Sequence, residues 1–180
     1  MKLVDIPKLD GLSIARWVGT EMALAGGAEE DDPVLWEHSS VPYLQLISVD
    51  IQLSDGSVYR MYSNSNDGSG YYGLYLMSRD TIDTPASPEN GSIYRTRDLV
   101  ELPIGQATVA IKEVHGPDAA LRVEIAVSGH SVSFWAAEVY ERGEGQFDIL
   151  GGRGVYSYSS RRHQTVTNPQ AASTKWIRSS

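Results

Sequence analysis

Residues 121–140, LRVEIAVSGHSVSFWAAEVY, decide the fold. Apolar side chains alternate with polar or small ones on both sides of the central Gly129-His130 pair. A period of two is typical of a β-strand that buries one face. A two-residue turn at Gly129-His130 predicts a hairpin, because glycine suits the first position of a type II′ turn. The predicted cross-strand pairs are Val127–Val132, Ile125–Phe134 and Val123–Ala136.

A second hairpin is predicted around Asp55-Gly56, where glycine supplies the positive φ of a type I′ turn. The predicted pairs are Leu53–Val58, Ile51–Arg60 and Val49–Tyr62. Arg60 is the exception on an otherwise apolar face, and we expect its stem to pack while its charged head reaches water.

Shorter alternating or apolar stretches predict further strands at residues 71–76, 106–115, 147–150 and 155–159. Residues 12–24 combine helical spacing with strand-like glycine punctuation, and we favour a strand there. The chain is therefore predicted to be mainly β, with a β-rich α+β fold as the variant. An antiparallel curved sheet, a sandwich or a partly open barrel, each built from hairpins, would bury the apolar faces.

The 180 residues are sufficient for one domain with a real core. We assign residues 1–167 to a single β-rich domain. Residues 168–180 are polar except for Trp176 and Ile177, so they are predicted to form a C-terminal tail.

Composition excludes several classes of protein. Fifteen Lys and Arg against 23 Asp and Glu give a formal charge of −8, which disfavours nucleic-acid binding because that requires clustered cations. The absence of cysteine excludes disulfides, thiolate nucleophiles and zinc fingers. No apolar run approaches the roughly 18 residues of a membrane span. The first residues do not resemble a signal peptide, so we expect a cytoplasmic protein without membrane contact.

No local motif predicts catalysis. The four histidines, His38, His115, His130 and His163, are far apart in sequence and none has a carboxylate at metal-ligand spacing. No nucleophile elbow or phosphate loop is present. The sequence therefore predicts no catalytic residue, no metal site and no cofactor.

Two features are typical of a binding surface. Glu29, Glu30, Asp31 and Asp32 form the densest charge block, which would raise the association rate with a basic partner. Residues 63–70 form a polar loop that contains Asp67 and is followed by Tyr71 and Tyr72. Tyrosine carries rigid apolar area with a polar tip, which favours interfaces. We take these residues as candidate partner contacts, although a solvated loop and sheet packing also explain them.

Three stretches give the chain a wider resemblance. They are the Asp-Gly hairpin at 49–62, GYYGLYL at 70–76 and SVSFWAAEVY at 131–140. As a small, acidic, cysteine-free chain with these segments, it resembles immunity proteins of bacterial polymorphic toxin systems. That group has no shared functional residues to transfer to this sequence. The resemblance implies a protein that neutralises a toxin by tight binding, without catalysis.

The sequence thus predicts a non-enzymatic binding protein with a protein partner, such as a basic toxin domain. A small-ligand-binding β-barrel and a structural subunit of a phage or secretion assembly are the alternatives, and a deep pocket of convergent His, Asp and Arg would indicate an enzyme.

Overall fold

The computed structural model describes residues 3–25, 34–38, 41, 44–64, 73–86, 92–115, 119–143, 146–151 and 174–178. The chain begins with a 3₁₀ helix, Leu3–Leu9. The described strands are β1 (Ser13–Met22), β2 (Leu44–Leu53), β3 (Val58–Asn64), β4 (Gly73–Arg79), β5 (Tyr94–Asp98), β6 (Gly105–His115), β7 (Ala119–Val127), β8 (His130–Trp135), β9 (Ala137–Gly143), β10 (Gln146–Gly151) and β11 (Thr174–Arg178). The mainly β prediction is confirmed.

Six antiparallel strands close a barrel. The pairing runs from β1 through β2, β3, β4, β7 and β6 and returns to β1. Leu74 of β4 opposite Ala120 of β7 completes the ring. Closure removes the exposed sheet edges that an open sheet would leave.

Three further groups of strands lie outside this ring. β11 pairs with β2 on one side and with β8 on the other, and β8 pairs with β7, so β2 and β7 are joined by a second route. β5 pairs with the second half of β1 and ends the nine-stranded sheet. β9 and β10 form a separate two-stranded sheet.

Apolar side chains fill the barrel interior. Phe134 of β8 is fully buried, and its ring stacks on that of Trp17 of β1 with the centroids 6.1 Å apart. The 3₁₀ helix packs against β4 and β6 and contributes Ile6 and Leu9 to the same core. Further members of the core include Leu46, Val49, Ile51, Met61, Leu74, Val123, Ile125 and Val127.

The hairpin within residues 121–140 is present, but its predicted pairs are wrong. The observed pairs are Val127–His130, Ile125–Val132 and Val123–Phe134. The turn lies at Ser128-Gly129, whose φ values of 51° and 82° are those of a type I′ turn. Because the pairing differs from the prediction by two residues, each side chain keeps its predicted face.

The hairpin around Asp55-Gly56 is also present with a different register. Asp50 pairs with Arg60 and Ile51 with Tyr59, a shift of one residue. The loop has three residues, 54–56, because Leu53 N–H donates to Ser57 O and Gly56 takes the left-handed last position with φ 89°. Arg60 consequently lies opposite Asp50, and its charge is paired.

Residues 12–24 contain β1, so the favoured strand assignment is confirmed. The predicted strand at 155–159 and the predicted domain end at residue 167 lie outside the described residues. Within the predicted polar tail, the described residues form β11, which lies between β2 and β8 in the nine-stranded sheet. Trp176 is paired with Leu44 of β2 and with Phe134 of β8. No helix in the described part of the chain is long and apolar enough to span a membrane.

Candidate functional site

The predicted partner contacts cannot be compared with the structure. Glu29, Glu30, Asp31, Asp32, Asp67, Tyr71 and Tyr72 all lie outside the described residues. The residues that flank the acidic run are described, and they are the starting point for a candidate site.

The backbone on either side of residues 26–33 is held together. Leu24 N–H donates to Leu35 O at 2.7 Å, and Leu35 N–H donates to Ala25 O at 3.1 Å. Ala25 and Leu35 thus form an antiparallel bridge directly after β1. This bridge fixes where the acidic run leaves and rejoins the barrel.

Trp36, which follows Leu35, contacts Arg95, and Arg95 forms an ion pair with the buried Glu21. The guanidinium carbon of Arg95 lies 4.4 Å from the centroid of the Trp36 ring, which is cation–π geometry. Arg95 Nε also donates to Glu21 Oε2, and Glu21 is only 3% exposed. Glu21 is on β1 and Arg95 is opposite it on β5, so the strand pairing itself aligns these groups.

Arg97 completes this group. Its Nε donates to Glu21 Oε1 at 2.9 Å, and its two terminal nitrogens donate to Glu101 at 3.1 and 2.7 Å. Burial opposes the charge on Arg97, but the hydrogen bonds to Glu101 and Glu21 outweigh it and raise the pKa of Arg97. We call Glu21, Arg95, Arg97, Glu101 and Trp36 the Glu21 cluster. Because both oxygens of Glu21 accept hydrogen bonds from permanently charged groups, the cluster is suited to holding β5 and Trp36 in place.

A second network lies on β2, β3 and the segment after β4. Asp50 is 1% exposed, and Arg60 donates to its two oxygens at 2.6 and 2.9 Å. Asp83 donates its backbone N–H to Asp50 at 2.8 Å and accepts from Arg60 and Arg79. The hydrogen bond to Asp50 outweighs burial and raises the pKa of Arg60. These four residues, the Asp50 cluster, attach the segment after β4 to the barrel.

The outer face of β6, β7 and β8 carries a third set of polar contacts. Arg122 lies over the Trp135 ring at 4.9 Å from its centroid. Glu124 accepts a hydrogen bond from Ser131, which lowers the pKa of Glu124 against the opposing effect of burial. Lys112 Nζ lies 3.5 Å from Glu124 Oε2 and lowers the pKa of Glu124 further.

The described basic side chains are mostly neutralised by these contacts. The ion-paired cations are Arg16, Arg60, Arg79, Arg95, Arg97, Lys112 and Arg122. Since the chain as a whole has a charge of −8, the carboxylates that remain in excess give the exterior a negative potential.

No group of three or more potential metal ligands occurs among the residues with described positions. No family model, curated protein or solved structure matches this chain.

No local pattern in the sequence indicates the Glu21 cluster. Glu21 is 74 residues from Arg95 and 76 from Arg97, so no local spacing connects them. Asp50 and Arg60 lie on the same predicted hairpin, but the predicted register placed Arg60 opposite Ile51, and only the observed register brings it opposite Asp50.

Proposed function

We propose that this chain is a non-enzymatic binding protein, an immunity-type antagonist that neutralises a toxin by tight protein–protein binding. The partner is a basic protein domain, and the interaction occurs in the cytoplasm without nucleic acid, membrane or cofactor. Glu29, Glu30, Asp31 and Asp32 supply the charge that attracts it, with Asp67, Tyr71 and Tyr72 as further contacts.

The packed barrel interior is the observation that carries this proposal. A closed six-stranded barrel is compatible with the alternative of a small-ligand carrier. The stacked Trp17 and Phe134 rings and the surrounding aliphatic side chains occupy the space that a ligand would need. Recognition by the exterior of the molecule is therefore favoured.

The state of the buried charges gives further support. Glu21 and Asp50 are the buried carboxylates of the described core, and each accepts hydrogen bonds from arginine. A general base must lie within hydrogen-bond reach of the proton that it removes from a substrate. Buried carboxylates that accept hydrogen bonds from arginine side chains are instead suited to holding a rigid scaffold.

A rigid scaffold is what fast recognition by an acidic segment requires. Opposite charges steer encounter and raise the association rate, while preorganisation reduces the entropy lost on binding. The Ala25–Leu35 bridge and the Glu21 cluster fix both ends of the segment that contains residues 29–32. The partner surface is accordingly expected to be rich in Lys and Arg.

A pull-down from the native host tests this function. The bait is the wild type, a quadruple variant with Glu29→Gln, Glu30→Gln, Asp31→Asn and Asp32→Asn, or a control variant. The control carries the same charge change at exposed positions elsewhere: Glu37→Gln, Asp55→Asn, Asp80→Asn and Glu113→Gln.

Wild type and control are expected to retain one basic protein at about 0.05 M salt and to lose it progressively towards about 0.5 M. The quadruple variant should retain much less at low salt. Equal retention by all three baits at both salt concentrations contradicts the electrostatic contact. If no protein is retained specifically at either salt concentration, the binding function itself is wrong.

A further inference from the structure

We propose that Asp55-Gly56, at the tip of the β2–β3 hairpin, is a site of spontaneous covalent modification, and that the Ser57 hydroxyl slows the reaction in the folded protein. The modification is cyclisation of Asp55 onto the Gly56 nitrogen to give a succinimide, which water opens to isoaspartate. This inference does not depend on the proposed function.

The chemistry requires an aspartate whose following backbone nitrogen is accessible. The Gly56 nitrogen forms a bond to Cγ of Asp55, and the amide proton of Gly56 leaves with the carboxyl hydroxyl group as water. A water molecule then adds to either carbonyl of the ring. Cleavage of the Cγ–N bond restores aspartate, whereas cleavage between the nitrogen and the Asp55 main-chain carbonyl carbon gives isoaspartate. Glycine permits this attack best, because it has no Cβ beside the nitrogen.

The hairpin tip is open to this reaction. Residues 54–57 are all exposed, so water reaches the carboxyl group and the ring that it would form. The side-chain contacts of Asp55 are local, since Asp55 Oδ1 accepts the Ser57 N–H at 2.9 Å and the Ser57 hydroxyl at 2.5 Å. No packing against another element therefore has to be broken before Asp55 cyclises.

Hydrogen bonds within the turn restrain the reaction. The neutral acid is the reactive form, because an ionised carboxylate repels the nitrogen lone pair and would have to expel an oxide ion. The hydroxyl of Ser57, followed by its N–H, stabilises the carboxylate and lowers the pKa of Asp55, so the neutral acid is rarer. The Gly56 N–H also donates to Leu53 O at 3.0 Å, and cyclisation must break this bond.

A second Asp-Gly pair, Asp10-Gly11, provides a comparison within the same chain. Both of its residues are exposed, but their contacts reach another element. The Gly11 N–H donates to Ala107 O of β6 at 2.8 Å, and Asp10 Oδ1 accepts the Val109 N–H at 2.8 Å. Cyclisation there has to detach the chain from β6. In the folded protein we therefore expect the hairpin tip to react faster than Asp10-Gly11.

Isoaspartate at position 55 would change the end of the hairpin. It routes the main chain through Cγ and adds one methylene group to a loop of three residues. The loop is closed by the Leu53 N–H, which donates to Ser57 O at 2.9 Å, and the Ser54 N–H donates to Ser13 O at 2.8 Å. The longer main chain no longer matches these two bonds, so the modification loosens the hairpin tip and its contact with β1.

Peptide mapping of the full chain tests the proposal. Wild type, Ser57→Ala and Ser57→Thr are incubated at neutral pH, folded or in concentrated urea. Isoaspartate at positions 55 and 10 is quantified by liquid chromatography with electron-transfer fragmentation. Ser54→Ala is the control, since it removes an exposed hydroxyl next to Asp55 that is not among the donors to its carboxylate. Circular dichroism verifies that each variant is folded before incubation.

In the folded state, Ser57→Ala should accumulate isoaspartate at position 55 several-fold faster than wild type. Ser57→Thr keeps the hydroxyl and should behave like wild type, as should Ser54→Ala. The rate at position 10 should be the same in all four proteins, because the contacts of Asp10-Gly11 with β6 are unchanged. In urea, all four should react at position 55 at one rate, which exceeds that of the folded wild type.

Four outcomes overturn the proposal. Equal rates at position 55 in folded wild type and folded Ser57→Ala show that the hydroxyl does not protect Asp55. An equal acceleration by Ser57→Ala in urea assigns the effect to the local sequence instead of the turn. Acceleration at position 10 together with position 55 indicates a general loss of structure. If no isoaspartate forms at position 55 even in urea, Asp55-Gly56 is not a modification site.

Discussion

Asp50 illustrates how much one buried carboxylate is expected to contribute to the stability of the fold when both of its oxygens accept hydrogen bonds. It is 1% exposed, and its oxygens accept N–H groups from the Arg60 side chain and the Asp83 backbone. Asp50→Asn turns one acceptor oxygen into a donor that faces other donors. We expect the free energy of unfolding to fall by about 3 kcal/mol, the scale for breaking a buried ion pair. Urea denaturation followed by tryptophan fluorescence measures it.

Asp80→Asn is the matched control for this prediction, since it makes the same chemical change at an exposed residue next to β4. Its effect should stay within about 0.5 kcal/mol. Equal denaturation midpoints for the two variants would show that the Asp50 cluster contributes nothing to stability.

Glu124 makes the stability of the barrel depend on pH. The hydrogen bond from Ser131, supported by Lys112 and Arg122, holds the pKa of Glu124 below its ordinary 4.5 in the folded protein. A depressed folded pKa adds stability above pH 4.5, and that stability is lost as the pH falls through the folded value. Glu124→Gln should therefore be less stable than the wild type at pH 7, and the difference should shrink below about pH 4.5.

Urea midpoints at a series of pH values from neutral to acid measure this convergence. The control is Glu37→Gln, which removes one carboxylate at an exposed position outside this network. A difference between Glu124→Gln and wild type that stays constant across the series argues against the Ser131–Glu124 contact.

At the scale of the element, the Glu21 cluster should stabilise the bridge beside the acidic run. Arg95→Met keeps the aliphatic stem but removes the charge over Trp36 and one partner of Glu21. A cation–π contact of this kind is worth about 0.5–1 kcal/mol, so amide exchange at Leu24 and Leu35 should become about two- to five-fold faster. Hydrogen–deuterium exchange with NMR detection resolves these two amides.

Arg79→Met removes an arginine from the Asp50 cluster instead and should leave exchange at Leu24 and Leu35 unchanged. If both variants accelerate exchange at these amides equally, the effect is a general loss of stability. The Glu21 cluster would then have no specific role at the bridge.

Alternation in the sequence predicted most of the described strands, although not β5 or β11, and it did not predict the cross-strand pairs of either hairpin. The period of two survives in β7 and β8 because side chains on one face must all be buried. Turn chemistry decided the registers: Ser128 took a positive φ that is uncommon for a non-glycine residue, and Gly56 closed a three-residue loop. Glycine next to a small polar residue indicates a turn, yet it is compatible with more than one loop length.

At the scale of the whole molecule, the contacts that complete the architecture are the least visible in sequence. Closure of the barrel depends on the pairing of Leu74 with Ala120. The ion pairs between β1 and β5 join residues that are 74 to 82 positions apart in the sequence. Local propensity carries no information about such pairs, because they form only after the sheet has curved. Charge and composition predicted a binding surface, whereas the ion clusters that hold the scaffold required the structure.

The packed interior leads to a last prediction, which separates a solid core from a ligand cavity. Phe134 is fully buried against Trp17, so Phe134→Ala should cost about 3–5 kcal/mol and leave an apolar cavity. Benzene should then raise the melting temperature of this variant, as expected for a small apolar molecule that fills such a space. Wild type and the exposed-site control Val114→Ala should not respond. If benzene stabilises the wild type equally, the interior already accepts ligands and the carrier function is favoured over binding by the exterior.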